Sequence, residues 1–269
     1  MAKQSKKSTK SRTAREQAAA ARAEALAAEK RRQRTINIVI AVVITVVVVG
    51  IVGGALYFAN QTKEESGAVA DPDAPRPEGA FSPEDPLAYG IPTGTDPDAP
   101  TLEVWEDFQC PACGAFEEAV GADLDSRAAA GEIVLVSRPT TFLDRSLGNN
   151  SSRLATSAYG CAVDAGQGSE YKSIVFANQP GSEGDGWTEE QLVGFAESAG
   201  IVDEDLATFE TCLTDRVYLP WATNSTEEFY ANGVGGTPTV LLNGETIETA
   251  DVLDPEVLSQ LIAEAAGQQ

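Results

Sequence analysis

Not one of the 269 residues is histidine. Ser-His and Cys-His hydrolytic mechanisms of the usual kind are thereby excluded, because they need an imidazole to take the proton of the nucleophile. Cysteine is scarce, with four in the chain. A structural zinc site built on one Cys-x-x-Cys needs two further ligands at matching spacing. The remaining cysteines, Cys161 and Cys212, stand singly and far apart, so zinc is the weaker reading. Positive charge is scarce beyond the N-terminal region: residues 1–35 hold 11 of the 19 Lys and Arg and three acids, near +8 in a chain of −22. The rest, near −30, lacks the concentrated Lys and Arg that phosphate binding requires, which argues against a nucleic-acid partner. Its carboxylates are scattered, with no Asp-x-Asp-x-Asp-Gly loop, and read as a solvated surface rather than a calcium site.

What the chain does have is Cys110-Pro-Ala-Cys113, directly after the strand-like run Leu102-Glu-Val-Trp-Glu-Asp-Phe108, with Gly-Gly-Thr237-Pro238-Thr-Val-Leu-Leu far downstream. If a strand ends near Gln109 and a helix opens at Pro111, Cys110 occupies the helix N-cap. There, unpaired backbone N–H groups and the helix dipole stabilise a thiolate. Pro111 then fills the first helical position, where its missing N–H costs nothing. Cys113 falls almost one turn later, beneath Cys110, and is placed to attack a mixed disulfide formed there. The spacing points to thiol-disulfide exchange, with Cys110 as nucleophile and Cys113 as resolving thiol.

Ahead of this motif, Ile36 to Ala59 is a 24-residue run without charge, rich in Val and Ile. At about 1.5 Å per residue a helix of that length reaches roughly 36 Å, enough to cross a hydrocarbon core of about 30 Å with some tilt. A cleaved signal peptide is the competing reading. The long basic region ahead, and a length beyond the usual h-region of roughly 7 to 15 residues, favour a retained anchor. Lys30, Arg31, Arg32 and Arg34 abut the span, so the positive-inside rule puts the N-terminus in the cytoplasm and the acidic bulk outside, where disulfides persist. The expected organisation is a basic cytoplasmic segment (1–35), a transmembrane helix (36–59), an acidic Pro-rich tether (60–86) and a folded domain (87–269).

Within the domain, Thr101 to Phe108 reads as a strand, Pro111 to Ala130 as a helix with Gly131 as its C-cap, and Glu132 to Arg138 as a central strand. Asn150 to about Ala231 reads as helical, in three or four pieces broken at Gly166-Gln-Gly168, Asn178 to Gly186 and Gly200. Pro238 to Asn243 and Glu245 to Glu248 form a hairpin about an Asn243-Gly244 turn, and Pro255 to Ala266 closes as a helix. The order β-α-β, helical block, β-β-α describes an α/β thioredoxin fold with an inserted helical subdomain, preceded by a single transmembrane helix.

Three segments in this order carry a resemblance. Gly90 to Cys113, ending Glu-Asp-Phe-Gln-Cys-Pro-Ala-Cys, resembles the opening of DsbA-like thiol oxidoreductases, especially the membrane-anchored kind of Gram-positive bacteria. Phe176-Ala-Asn-Gln-Pro180 is similar to that family's helical-domain motif, and Gly233-Val-Gly-Gly-Thr-Pro-Thr-Val-Leu-Leu-Asn-Gly244 to its cis-proline segment. The resemblance spans residues 88 to 266. It implies that Cys110 is the exposed attacking cysteine and Cys113 its buried partner. It further implies that Pro238 is the cis-proline packed against the disulfide, and that the Thr237 backbone pairs with an extended substrate segment. Without it, Thr-Pro before an apolar run reads as a strand start.

Two positions depart from the family pattern. DsbA carries Pro-His between its cysteines where this chain has Pro111-Ala112, so one thiolate-stabilising group is missing. The expected potential is less oxidising than the roughly −120 mV of DsbA but above the roughly −270 mV of thioredoxin. The buried acid that the family places six residues before the first cysteine, as proton acceptor for the resolving thiol, is replaced by Val104. Glu106, two residues on and on the same strand face, is the candidate substitute; a solvated strand-end carboxylate is the plainer reading.

Cys161 and Cys212 fall on apolar helical stretches of the helical block. In an oxidising compartment such a pair most simply forms a structural disulfide, against two buried free thiols or a second redox pair; some actinobacterial members of the resembled family carry such a bridge. The expected function is oxidation of reduced secreted or cell-envelope proteins by transfer of the Cys110–Cys113 disulfide, with no bound cofactor. The resemblance implies a quinone-linked membrane oxidase, of the vitamin K epoxide reductase or DsbB kind, that reoxidises the site. A reductase or isomerase fed by a membrane electron donor would use the same residues with opposite electron flow. A non-catalytic tethered binding module is the reading from another class, and the intact Cys-x-x-Cys and Thr-Pro stand against it.

Overall fold

The computed structural model describes residues 70–267. The transmembrane helix expected over 36–59, the basic segment before it and the first part of the tether lie outside the described residues. Among the described residues no helix is long and apolar enough to cross a membrane.

Five strands, β1 (Ile91–Thr93), β2 (Thr101–Glu106), β3 (Val134–Pro139), β4 (Thr239–Leu242) and β5 (Glu245–Ile247), form one sheet in the order β1-β3-β2-β4-β5. β2 and β3 are parallel and the other pairs antiparallel. β3 is therefore internal, in accord with its apolar run. Its outer neighbour β1 is a short Ile-Pro-Thr segment with no strand pattern of its own, and it is a strand only through pairing with β3. Alternation divides β2 between two faces. Leu102 and Val104 pair with Leu242 and Val240 and pack with Phe116, Val120, Leu124, Leu258 and Ile262. Each such side chain contributes roughly 1.5–3 kcal/mol by leaving water. Glu103 and Trp105 face the other way, where the Arg138 guanidinium meets Glu103 at 2.7 Å and lies 4.0 Å from the centre of the Trp105 ring.

The helix after β2 is interrupted. α1 (Pro111–Phe116) passes through a π-helical turn at Glu117–Gly121 into α2 (Ala122–Ala129). The Glu117 side chain folds back over Gly121, where an added Cβ would lie 2.6 Å from the carboxyl carbon. Gly131, at φ +74°, ends the helix as expected.

After the short α3 (Phe142–Leu147), the inserted subdomain comprises α4 (Ser151–Asp164), α5 (Gly168–Ala177), α6 (Glu189–Ser198), α7 (Asp203–Thr214) and α8 (Leu219–Ala231). The three breaks expected are present, and a further one separates α7 from α8. No glycine marks it; Arg216 turns the chain at φ +56°, and Pro220 lies in the first turn of α8. α4 is buried along most of its length, and its Cys161 forms a disulfide with Cys212 of α7. β4 and β5 meet at Asn243 and Gly244, with φ +49° and +82°, as an Asn-Gly hairpin requires. α9 (Thr249–Val252) and α10 (Pro255–Ala266) complete the fold, α10 within the bounds expected and capped by the Asp254 carboxylate.

The tether expected over 60–86 is part of the folded domain from Asp71 onward. Asp71 N–H donates to Asn224 Oδ1 at 2.8 Å, Asn224 Nδ2 donates back to Asp71 O at 2.6 Å, and Glu78 N–H donates to Asp164 Oδ1 at 2.7 Å. Ala74, Ala88 and Tyr89 are buried, and Trp221 Nε1 donates to Tyr89 O. A Pro- and Asp-rich composition suggests solvation, but here the backbone polar groups are satisfied by partners more than 80 residues away in sequence.

The disulfide closes a loop with a sequence separation of 51. On the chain-entropy account such a loop stabilises by about 4 kcal/mol. The double variant Cys161→Ala/Cys212→Ala is expected to lose about that much in urea unfolding while keeping the Cys110–Cys113 pair reactive.

Candidate active site

The junction between β2 and α1 places the thiols. Cys110 is the N-cap of α1 in extended conformation and Pro111 is the first helical residue. The Cys110 carbonyl accepts the N–H of Cys113 at 3.1 Å and of Gly114 at 3.2 Å, closing the first turn. Thr237 and Pro238 enter from the loop before β4, joined by a cis peptide bond, and the Thr237 carbonyl lies 3.4 Å from Cys110 Sγ. Cys110, Cys113 and Thr237 meet at one point, with Pro238 next to Thr237 in the chain. Cys110 and Cys113 are free thiols, with 8 % and 1 % of their surface accessible. The attacking thiol, expected to be exposed, is thus nearly covered, because the Thr237-Pro238 loop lies against it.

The two sulfurs are driven apart in acidity. The adjacent Cys113 thiol is the main influence that lowers Cys110 to about 6; burial opposes it, and Thr237 with the Cys113 and Ala112 N–H groups adds to it. For Cys113, burial and then the neighbouring Cys110 push the pKa far above the ordinary thiol range. The Thr237 hydroxyl, buried and without another hydrogen-bond partner among the described residues, lowers both sulfurs. It is the donor available to either thiolate.

Beside the turn lies a polar cluster to which sequence reasoning gave no role. Asp107 Oδ1 accepts the Gln109 N–H at 2.9 Å and the Ser152 hydroxyl at 2.5 Å, while Oδ2 accepts the Leu143 N–H at 3.1 Å. Gln109 Nε2 donates to Ser152 Oγ at 2.7 Å and Asp144 Oδ1 at 2.9 Å. Asp144 in turn accepts the N–H groups of Ser152 and Arg153 at the start of α4. Burial pushes Asp107 up to about 7 against these donors. The only local signal is the Asx-turn spacing of Asp107 and the Gln109 N–H; the partners on α3 and α4 are visible only in the fold.

Glu106 lies on the Val104 face, as alternation requires, and is 1 % exposed, which rules out a solvated strand end. It accepts the Ser137 hydroxyl at 2.7 Å. Lys172 of α5 stands 3.6 Å from Glu106 and 3.1 Å from Glu117, which the π-helical turn carries inward. Burial raises the Glu106 pKa, Lys172 opposes this, and Glu117 adds to it. Burial by itself lowers the Lys172 pKa, but Glu106 and then Glu117 outweigh it and hold the lysine above its ordinary value. Lys172 was missed because an isolated lysine on a helix reads as solvent-facing. Among the described residues no group of His, Cys, Asp and Glu is arranged to hold a metal ion.

The sequence profile of the thioredoxin family matches residues 90–264. Among solved structures, the fold is similar to MdbA, a thiol-disulfide oxidoreductase from Actinomyces oris, at 21% identity and a TM-score of 0.59, covering 74% of this chain and 94% of that one. MdbA of Corynebacterium diphtheriae gives 21% identity and a TM-score of 0.55 over 73% and 98% of the two chains. BdbD of Bacillus subtilis gives 17% and 0.57 over 73% and 99%. Among curated proteins, none matches the chain in sequence.

Two variants test this arrangement. Lys172→Met leaves two buried carboxylates without a cation and is expected to cost about 3–5 kcal/mol in urea unfolding at neutral pH. Because the folded pKa of Glu106 is raised, its carboxyl contributes stability at low pH that is lost as pH rises through the folded value. The Lys172→Met deficit should therefore shrink on acidification; a deficit independent of pH would contradict the cluster. Thr237→Val, which removes the hydroxyl and keeps the shape, is expected to raise the Cys110 titration midpoint, read from thiolate absorbance.

Proposed function

This chain belongs to the thioredoxin family, and from that premise we propose that it is a thiol-disulfide oxidoreductase that introduces disulfides into reduced secreted or cell-envelope proteins. The observation that carries the reading is the difference between the two thiols. Cys110, lowered to about 6 at a helix N-cap, stands above a buried Cys113 that holds its proton. A stabilised thiolate stabilises the reduced form, and a stable reduced form makes the disulfide a good oxidant.

In the forward reaction a substrate thiolate attacks Cys110 Sγ of the Cys110–Cys113 disulfide. The S–S bond breaks, Cys113 leaves as thiolate and takes up a proton, and a mixed disulfide links Cys110 to the substrate. A second substrate thiolate then attacks the substrate sulfur of that bond and expels Cys110, whose low pKa makes it the better leaving group. Two electrons and the accompanying protons pass from substrate to protein. The Thr237 backbone, beside Cys110, pairs with the extended substrate segment during the exchange.

Each turnover leaves a dithiol, so an electron acceptor is required. The proposed acceptor is a quinone-linked membrane oxidase of the vitamin K epoxide reductase or DsbB kind. Anchoring by residues 36–59, with the catalytic domain extracytoplasmic, would place both in one membrane; the basic flank at Lys30 to Arg34 supports that orientation. The Cys161–Cys212 bridge fits an oxidising compartment.

The test is the reduction potential of the Cys110–Cys113 pair in the full-length, detergent-solubilised protein equilibrated with glutathione buffers. A value above roughly −180 mV is expected of a disulfide donor, whereas one near the roughly −270 mV of thioredoxin would replace this reading with a reductase. Reduced Cys113→Ser should accumulate a mixed disulfide with a disulfide-containing peptide, its Cys110 thiolate attacking the peptide disulfide and expelling the second peptide cysteine as thiolate, and Cys110→Ser should form none.

A further inference from the structure

Beyond Ala177 the chain leaves α5 and brings Gln179 to the catalytic turn. Its amide Nε2 donates to two carbonyls at once, Phe108 O at 2.7 Å and Cys110 O at 2.9 Å. These oxygens lie on either side of Gln109, in the turn that joins β2 to α1. Gly114 makes room for this approach: a Cβ there would sit 2.4 Å from Gln179 Oε1 and 2.9 Å from its Cδ. Gly114 is inside α1 and is not among the residues at positive φ, so left-handed freedom does not explain it. A glycine within a helix is less favourable than an alanine. The close packing of Gln179 is the reason the structure offers for that cost.

We propose that Gln179 is a positioning residue for the nucleophile: a polar clamp from the helical subdomain, admitted by Gly114, that fixes the turn carrying Cys110. The inference rests on the oxidoreductase reading of Cys110 and adds a determinant to it.

The clamp acts in two ways. It holds the carbonyl of Cys110 in the geometry of the first helical turn, so that the thiol keeps its place over the Cys113 and Ala112 amides. It also sets two amide hydrogens, with their partial positive charge, against the negative ends of two carbonyl dipoles beside the sulfur. Both effects favour the thiolate. The other groups that act on Cys110 are the Cys113 thiol, Thr237 and the Ala112 and Cys113 amides, all on α1 or the loop before β4. Gln179 is the contribution of the inserted helices.

The experiment uses full-length protein in detergent, reduced, with thiolate absorbance followed against pH, thermal unfolding measured in parallel, and exchange with glutathione as a separate readout. Gln179→Ala and Gly114→Ala are each expected to raise the Cys110 midpoint by about half a unit or more, roughly a threefold fall in the thiolate-to-thiol ratio. Gln179→Glu, which replaces the donor by a negative charge, should raise it further. Gln179→Met keeps the volume, removes the donors and carries the same expectation should the alanine variant prove unstable. The double variant Gly114→Ala/Gln179→Ala should titrate like Gln179→Ala, because the added methyl acts only by displacing a side chain that is no longer there. An unchanged midpoint in the Gln179 variants, whatever their melting temperature, would overturn the proposal, as would fully additive shifts for the two positions. Wild-type protein that titrates normally but never exchanges with glutathione would defeat the oxidoreductase reading instead, leaving the titrations to decide the clamp.

Discussion

The Cys113 thiol, Thr237 and the N–H groups at the start of α1 together set how much negative charge Cys110 can carry, and the structure fixes that helix end from several sides. Pro111 starts the helix without wasting a donor. Asp107 holds the preceding turn through the Gln109 N–H and ties it to α3, while Gln109 ties it to Asp144 and Ser152. Gln179 grips the turn's carbonyls, and the Thr237 carbonyl lies against the sulfur. A thiolate stabilised by backbone dipoles is only as reliable as the placement of those dipoles. Without a histidine between the cysteines, the stabilisation comes from the Cys113 thiol, Thr237 and the Ala112 and Cys113 amides, and each of these acts only through its placement.

Beyond residue 35 the chain has eight Lys and Arg, and among the described residues two of these cations are buried in the sheet region, one on each face. Arg138 pairs with Glu103 on one side and Lys172 with Glu106 and Glu117 on the other. Buried pairs add little net stability, because desolvation offsets the attraction, but losing one partner leaves an uncompensated charge. Both pairs join separate parts of the fold: Arg138 also reaches the Ala88 carbonyl, and Lys172 brings α5 onto the catalytic layer. The π-helical turn contributes by rotating Glu117 inward over Gly121. Their role is best described as registering one layer against the next.

Where a residue's constraint is local, the sequence was legible. Cys110, Pro111, Gly131, the Asn243-Gly244 turn and the Pro255 helix follow from cap and turn chemistry that acts within a few residues. The Thr237-Pro238 approach and the Cys161–Cys212 pairing came from compartment logic and family resemblance. What escaped depends on partners distant in sequence. β1 is a strand through β3, and the Asp71 region folds through Asn224 and Asp164. Glu106 is buried through Ser137 and Lys172, and Gln179 acquires a role only when α5 meets α1. Polar residues with long-range partners look like surface in a one-dimensional reading, and this site is built from several of them.

The docked segment before β1 also bears on mechanics. Asp71 is held by two hydrogen bonds to Asn224 of α8, Glu78 by Asp164 of α4, and the Tyr89 carbonyl by Trp221. Tension applied to the chain N-terminal to Asp71 is therefore borne first by α8, which is itself bonded to β3 through Ser225 and the Pro139 carbonyl, and then by α4. Because α4 also carries Ser152, which holds Asp107 and Gln109 ahead of Cys110, a pull from that end is shared between the helical layer and the turn that carries the thiols.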